Sequence, residues 1–199
     1  MICRKIYDVY YCDKTNADEA IIYCHGGAFR YGNKGDNQDF LAVLAEKMSM
    51  RVYSIGYRNL DEARTLKNMI EDINNCIEII AKTDSISHFH LMGASSGAYL
   101  IWILSLMVSN ASKFGMNCNY DIDSVILISG YFLFKRNDPI TQAFCLFPTF
   151  QDFPEAIRNI IMDYSDYRLP STLLISGAND SCLEDSKVLY EAIKKSNLS

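Results

Sequence analysis

The chain is expected to fold as an α/β protein, a three-layer α/β/α sandwich with a mostly parallel central sheet. Three observations predict this. Short, continuously apolar runs such as AIIYC (20–24), SVILIS (124–129) and STLLIS (171–176) read as strands covered on both faces. Between them lie segments with apolar residues at helical spacing, most clearly 63–81, where Leu66, Ile70, Ile73, Ile77 and Ile80 line one stripe. The two kinds of segment alternate along most of the chain, as βαβ units do.

Taken in order, residues 6–11 (IYDVYY) are aromatic and β-branched and predict an edge strand. Residues 14–19 read as a polar turn, and 20–24 as a buried strand running into His25-Gly-Gly-Ala-Phe-Arg-Tyr-Gly32. Asp36 is a candidate cap for a helix carrying Phe40, Leu41, Leu44 and Met48. A strand at 51–57 and the long helix at 63–81 follow, then a strand that ends in a serine turn and a wholly apolar helix to about Asn110. After the strand at 124–129, residues 131–169 break the rhythm; they are aromatic-rich, with a helix expected at 154–162. The strand at 171–176 ends in Gly177-Ala-Asn-Asp180, and a last amphipathic helix spans about 183–194.

At 199 residues and 49% hydrophobic content the chain can bury one substantial core, so residues 1–199 are expected to form a single domain. A net charge of −5 with no basic patch argues against nucleic acid and mildly against anionic membrane surfaces. The longest apolar run, 98–108, is too short to span a bilayer, so no membrane insertion is expected. The first six residues lead into no apolar run, so no signal peptide is expected. The cysteines are seven, an odd number, with no C-x-x-C pair. They read as reduced thiols of a cytoplasmic protein, neither a disulfide framework nor a zinc site, and no metal or other cofactor is expected.

The chemistry-bearing stretch is His88-Phe-His-Leu-Met-Gly-Ala-Ser95-Ser-Gly97 with the apolar helix behind it. The pattern G-x-S-x-G alone arises by chance in roughly one 200-residue sequence in fifteen. A strand in front and a helix behind make the match far more selective. A sharp strand-to-helix turn lifts a strained serine hydroxyl clear of the sheet, and glycines flank it because a Cβ there would collide. Ser95 would also sit where free N–H groups and the helix dipole favour a developing oxyanion. An ordinary strand–helix turn is the plainer alternative. Two more loops belong to the same sheet edge, where ligands bind in such folds. Loop 25–28 is glycine-rich after a strand, suited to backbone oxyanion donors or simply to a tight turn. Asp180 follows a strand, placed either to orient an imidazolium or to cap a helix.

In this order, HGG, G-x-S-x-G and strand–G-x-x-D, the sequence resembles the α/β-hydrolase superfamily, particularly its esterase/lipase group with an H-G-G-G-type oxyanion motif. Tyr57-Arg58-Asn59-Leu60-Asp61-Glu62 and the downstream Glu71-Asp72 are similar to that group's Y-R-L-x-x-E segment and E-D pair. The resemblance covers about residues 6–195. It implies Ser95 as nucleophile, Asp180 as triad acid, and backbone N–H groups of Gly27, Ala28 and Ser96 as oxyanion donors. It also implies a small-molecule ester substrate, and a short helical cap at 131–169. There Tyr131, Phe132, Phe134, Phe144, Phe147, Phe150 and Phe153 would line an acyl pocket or simply pack the cap.

One part of the pattern is missing. The family's triad histidine follows the acid, and no histidine follows Asp180. His90 and His88 precede Ser95 on a strand, about 17 and 23 Å away. His25 lies at the right edge, where the resemblance makes it a loop brace, with a role as the base the alternative. The expectation is therefore a chain lacking the last strand and helix of such a fold, with an exposed sheet edge that invites self-association. The functional expectation is a carboxylesterase-type serine hydrolase, impaired by the missing histidine. A non-catalytic ligand-binding or interaction protein on the same scaffold is the alternative, and an amide, peptide or lactone in place of the ester a third reading.

Overall fold

The computed structural model describes residues 6–12, 16–63, 65–133 and 163–196. Its elements are β1 (Tyr7–Tyr10), β2 (Asn16–Cys24), α1 (Gln38–Met48), β3 (Met50–Ile55), α2 (Leu60–Ala63), α3 (Leu66–Asp84), β4 (His88–Ala94), α4 (Ser96–Ser109), α5 (Ala111–Phe114), β5 (Asp121–Ile128), β6 (Ser171–Ile175) and α6 (Leu183–Ser196). The six strands form one sheet in the order β1-β3-β2-β4-β5-β6. Only β1 is antiparallel to its neighbour; the other four pairings are parallel. The expected three-layer architecture is present, with β1 at the edge as its sequence predicts.

Side-chain alternation on the strands sorts the core into two layers. Ala20, Ile22, Cys24, Tyr53, Ile55, Phe89, Leu91, Val125 and Leu127 pack against α3, α4 and Leu189 of α6. Their strand neighbours Ile21, Tyr23, Val52 and Met92 pack against Leu41 and Ala45 of α1 on the other face. All five apolar positions expected along α3 are buried. Thr65 caps that helix by accepting from the Asn68 N–H, which places its start at the β-region residue before the apolar stripe. Helix α4 is apolar all round and is buried almost throughout its length.

The structure corrects three local expectations. Asp36 does not cap α1; its carboxylate accepts from the Asn33 N–H and side-chain amide, and Asn37 takes the cap position in a left-handed conformation. Phe40 and Met48 are about half exposed, because α1 covers the sheet with the narrow stripe around Leu41 and Ala45. β2 starts at Asn16, so most of the expected polar turn at 14–19 is strand. The helix expected at 154–162 and five aromatics of the expected pocket, Phe134, Phe144, Phe147, Phe150 and Phe153, lie outside the described residues.

Close backbone packing surrounds the turn after β4. A Cβ on Gly93 would lie 2.7 Å from the Gly97 carbonyl carbon and oxygen. One on Gly97 would lie 2.3 Å from the His25 carbonyl oxygen and 2.4 Å from that of Cys24. The first turn of α4 is thus pressed against its own strand and the end of β2. Gly97→Ala is expected to lower stability by about 1–3 kcal/mol through forced backbone shifts. Gly115→Ala, at φ 63 with no atom within 4 Å of the new Cβ, should cost only backbone strain, roughly 1–2 kcal/mol. Urea unfolding of the two variants checks the ranking, and the Gly97 variant should also lose the order of the β2 loop.

Candidate active site

β2, β4, β5 and β6 lie side by side and parallel. The segments that follow them therefore emerge at one edge of the sheet, where α/β folds bind ligands. Ser95 caps α4 with φ 52 and ψ −119, outside the wells that ordinary residues occupy. Its backbone is tied on three sides. The Ser95 N–H donates to the Ile128 carbonyl at 2.9 Å, and its carbonyl accepts from Ala98 and Tyr131 at 3.1 and 3.3 Å. Such a conformation costs of order 1–3 kcal/mol and persists only where its surroundings hold it. Ser96 follows as the first residue of α4 and is buried.

The loop after β2 comes up against this turn. A Cβ built on Gly26 would lie 3.2 Å from Ser95 Cβ and 3.0 Å from the Ala94 carbonyl oxygen. The carbonyls of this loop are held in succession. Tyr57 Oη donates to the His25 carbonyl at 2.6 Å, and His25 Nδ1 donates to the Gly26 carbonyl at 2.7 Å. The Gly27 carbonyl accepts from the N–H groups of Arg30 and Tyr31 at 3.0 and 2.8 Å. A trans peptide is planar, with its C=O and the next residue's N–H pointing opposite ways. Holding these three carbonyls therefore aims the N–H groups of Gly26, Gly27 and Ala28 away from the groups that hold them. Gly27, Ala28 and Phe29 take positive φ of 119, 51 and 67. Ala28 stands where the resembling motif has glycine, so it carries a strain that glycine would not.

Asp180 lies beyond β6 with both carboxylate oxygens engaged. One accepts from the Cys182 N–H at 2.8 Å, the other from the Ser129 hydroxyl. The two hydrogen bonds, Ser129's foremost, hold its carboxyl below the usual range. The helix-start role considered for Asp180 is thus served by one oxygen only. Ser129, at the end of β5 with φ 47, joins the strand beside β4 to Asp180. Asp185, buried in the first turn of α6, accepts from the Phe132 and Leu133 N–H groups at 2.7 Å each and fixes the chain as it leaves β5. Sequence reasoning missed both residues. A polar residue closing the apolar run SVILIS just before Gly130 is the one signal that pointed to Ser129.

None of the three histidines is bonded to Ser95. His25 is buried and stacked on Tyr57, with ring centroids 4.2 Å apart and planes 7° from parallel. Burial pushes its pKa down. His88 Nδ1 lies 3.1 Å from Asp123 at the start of β4. His90 contacts Ser124 at 2.8 Å and Glu19 at 3.5 Å in mid-strand. Arg58 forms a two-pronged ion pair with Asp72, both contacts 2.7 Å, which joins the two segments of the Y-R-L-x-x-E and E-D resemblance. Among the described residues no three His, Cys, Asp or Glu side chains converge as a metal site requires. No helix among them is long and apolar enough to cross a membrane.

Comparison with known proteins places this geometry in context. Solved structures of esterase B from Lactobacillus rhamnosis superpose with a TM-score of 0.82 at 23% identity, covering 96% of this chain and 66% of theirs. One solved with a tributyrin phosphonate inhibitor gives 0.83 over the same shares. A hormone-sensitive lipase from a metagenome library gives 0.75 at 20% identity, over 94% of this chain and 67% of that one. Kynurenine formamidase of Saccharomyces cerevisiae is 31% identical over 93 residues, 44% of this chain and 35% of the yeast protein. The chain thus spans about two thirds of the length of these esterases and about one third of that of the formamidase. A family model described as alpha/beta hydrolase fold matches residues 21–198. With its six-stranded sheet and the turn at Ser95, this chain belongs to the alpha/beta hydrolase fold family.

Proposed function

We propose that the chain carries the nucleophile and oxyanion site of a serine hydrolase acting on small carboxylic esters. The observation that carries this reading is the approach of the Gly26 loop to Ser95 with its carbonyls held by hydrogen bonds. Ser95 Oγ attacks the ester carbonyl carbon and gives its proton to water, which returns one to the departing alcohol. The oxyanion that forms accepts from the N–H groups of Gly27, Ala28 and Ser96, and collapse of the tetrahedral species expels the alcohol and leaves an acyl-serine for water to cleave. Asp180 is the acid that orients an imidazole. His25 acts as a brace on Tyr57, and His88 and His90 are engaged along β4. No histidine of these 199 residues thus stands ready to take the Ser95 proton.

An amide in place of the ester has one observation behind it, the likeness to yeast kynurenine formamidase. The placement of the histidines favours the other alternative, a ligand-binding protein on the same scaffold. Residues 1–199 as one domain with a cap at 131–169 remain part of the proposal, as does a cytoplasmic location, in keeping with the buried thiols of Cys24 and Cys76. Self-association draws support from β6, an outer strand bearing no charge, with Leu173 and Ile175 about half exposed.

Hydrolysis of p-nitrophenyl butyrate and of an aryl formamide, each beside Ser95→Ala, tests these readings. We expect slow ester turnover that Ser95→Ala abolishes, since loss of the base alone costs about 10⁶-fold in a complete triad. Formamide turnover exceeding ester turnover favours the amide. Turnover equal to that of Ser95→Ala on both substrates favours the binding protein. A second prediction concerns the acid. Asp180's lowered pKa means that its hydrogen bonds add stability above the unfolded carboxylate pKa, lost as pH falls through the folded value. Ser129→Ala should raise the Asp180 pKa toward the ordinary range and shift that loss to higher pH, as read by carboxyl carbon NMR.

A further inference from the structure

The segment after β3 grips the 25–32 loop at four points. Tyr57 donates to the His25 carbonyl, the Leu60 N–H to the Phe29 carbonyl at 2.7 Å, and Asn59 Nδ2 to the Gly32 carbonyl at 3.4 Å. Asp61 pairs with Arg30. Of these contacts, the Tyr57 one is made to the residue just before Gly26, and both its partners are buried. We propose that Tyr57 is the positioning residue of the oxyanion loop. The inference rests on the oxyanion reading of that loop and adds a residue to it.

Tyr57 works through its hydroxyl and its ring. The hydroxyl holds the His25 carbonyl, which by peptide planarity sets the direction of the Gly26 N–H, and it also lies 3.3 Å from His25 Nδ1. Its ring stacks on the His25 imidazole, whose Nδ1–H holds the Gly26 carbonyl and so sets the Gly27 N–H. A carbonyl only accepts, so the second bond requires the Nδ1–H tautomer, and Tyr57 holds the ring that carries it. The loop has little stiffness of its own: Gly26 and Gly27 are adjacent, and Gly27 to Phe29 all stand at positive φ. An outside brace is what converts such a segment into a preorganised donor pair. Tyr57 touches no substrate in this account and acts through the loop alone.

The test compares wild type with Tyr57→Phe, which keeps the stacked ring and loses the hydroxyl, and with Tyr57→Leu, which loses both. Two readouts are taken: the amide resonances of Gly26, Gly27 and Ala28 with the ring nitrogens of His25 by ¹⁵N NMR, and the rate of Ser95 modification by a fluorophosphonate. An oxyanion donor is worth about 10²–10³ in rate. In Tyr57→Phe the Gly26 amide should shift, the His25 ring that sets the Gly27 N–H should lose its hydroxyl neighbour, and labelling should slow about tenfold, with a greater loss and a mixed His25 tautomer in Tyr57→Leu. Amides and imidazole unmoved in Tyr57→Phe overturn the proposal, also when the melting temperature falls. Absence of Ser95 labelling in wild type overturns the oxyanion reading instead, and the amide resonances then decide the positioning role alone.

Discussion

Where α4 begins, the backbone of Gly97 rests against the carbonyls of Cys24 and His25 at the end of β2. A side chain of any size at that point would push helix and strand apart. With only hydrogen there, the first turn of the helix drops onto the sheet, Ser95 is lifted into its strained conformation, and Gly26 comes within van der Waals reach of Ser95 Cβ. The site therefore depends on a close approach of backbones, which the core on either side holds in place. The almost wholly buried α4 and the apolar strands β2, β4 and β5 supply the burial that offsets the strain.

That strain is not spread evenly. Among the described residues, the non-glycine positions with positive φ fall into two groups. Ser49 and Ser85 close helices, where a left-handed residue is ordinary, and Asn37, of a type that tolerates this conformation, opens α1. Ala28, Phe29, Ser95 and Ser129 sit at the carboxyl edge of the sheet, where no helix end calls for three of them. Hydrogen bonds hold the edge in that shape: Tyr57 and His25 on the loop carbonyls, Ile128 and Tyr131 on Ser95, Ser129 on Asp180, Asp185 on the chain leaving β5. Strain held by a polar network on a rigid scaffold is a common physical signature of a preorganised site.

The sequence showed the strands and the long helix because burial leaves periodic marks: the runs at 20–24 and 124–129, and the α3 stripe, are local patterns that packing respects. The turn at Ser95 was legible for a steric reason, its two glycines. α1 was misread in part because a helix covering only some of the sheet buries a narrow stripe, so an apolar residue such as Phe40 is left outside it. The cap at Asp36 failed because Asn33 offered that carboxylate two nearer donors. Tyr57 was read only as part of a family-like segment, and Ser129 and Asp185 were not read as site residues at all. Each acts on a partner more than thirty residues away, and no local pattern records such a pairing.

The central claim is that the turn and the loop together make Ser95 the reactive group of this chain. Incubation with a fluorophosphonate, digestion and mass-spectrometric location of the adduct tests it most directly. The account predicts one adduct, on the peptide containing Ser95, absent from Ser95→Ala and slowed in Gly97→Ala. An adduct on another residue, or equal labelling of wild type and Ser95→Ala, would contradict it.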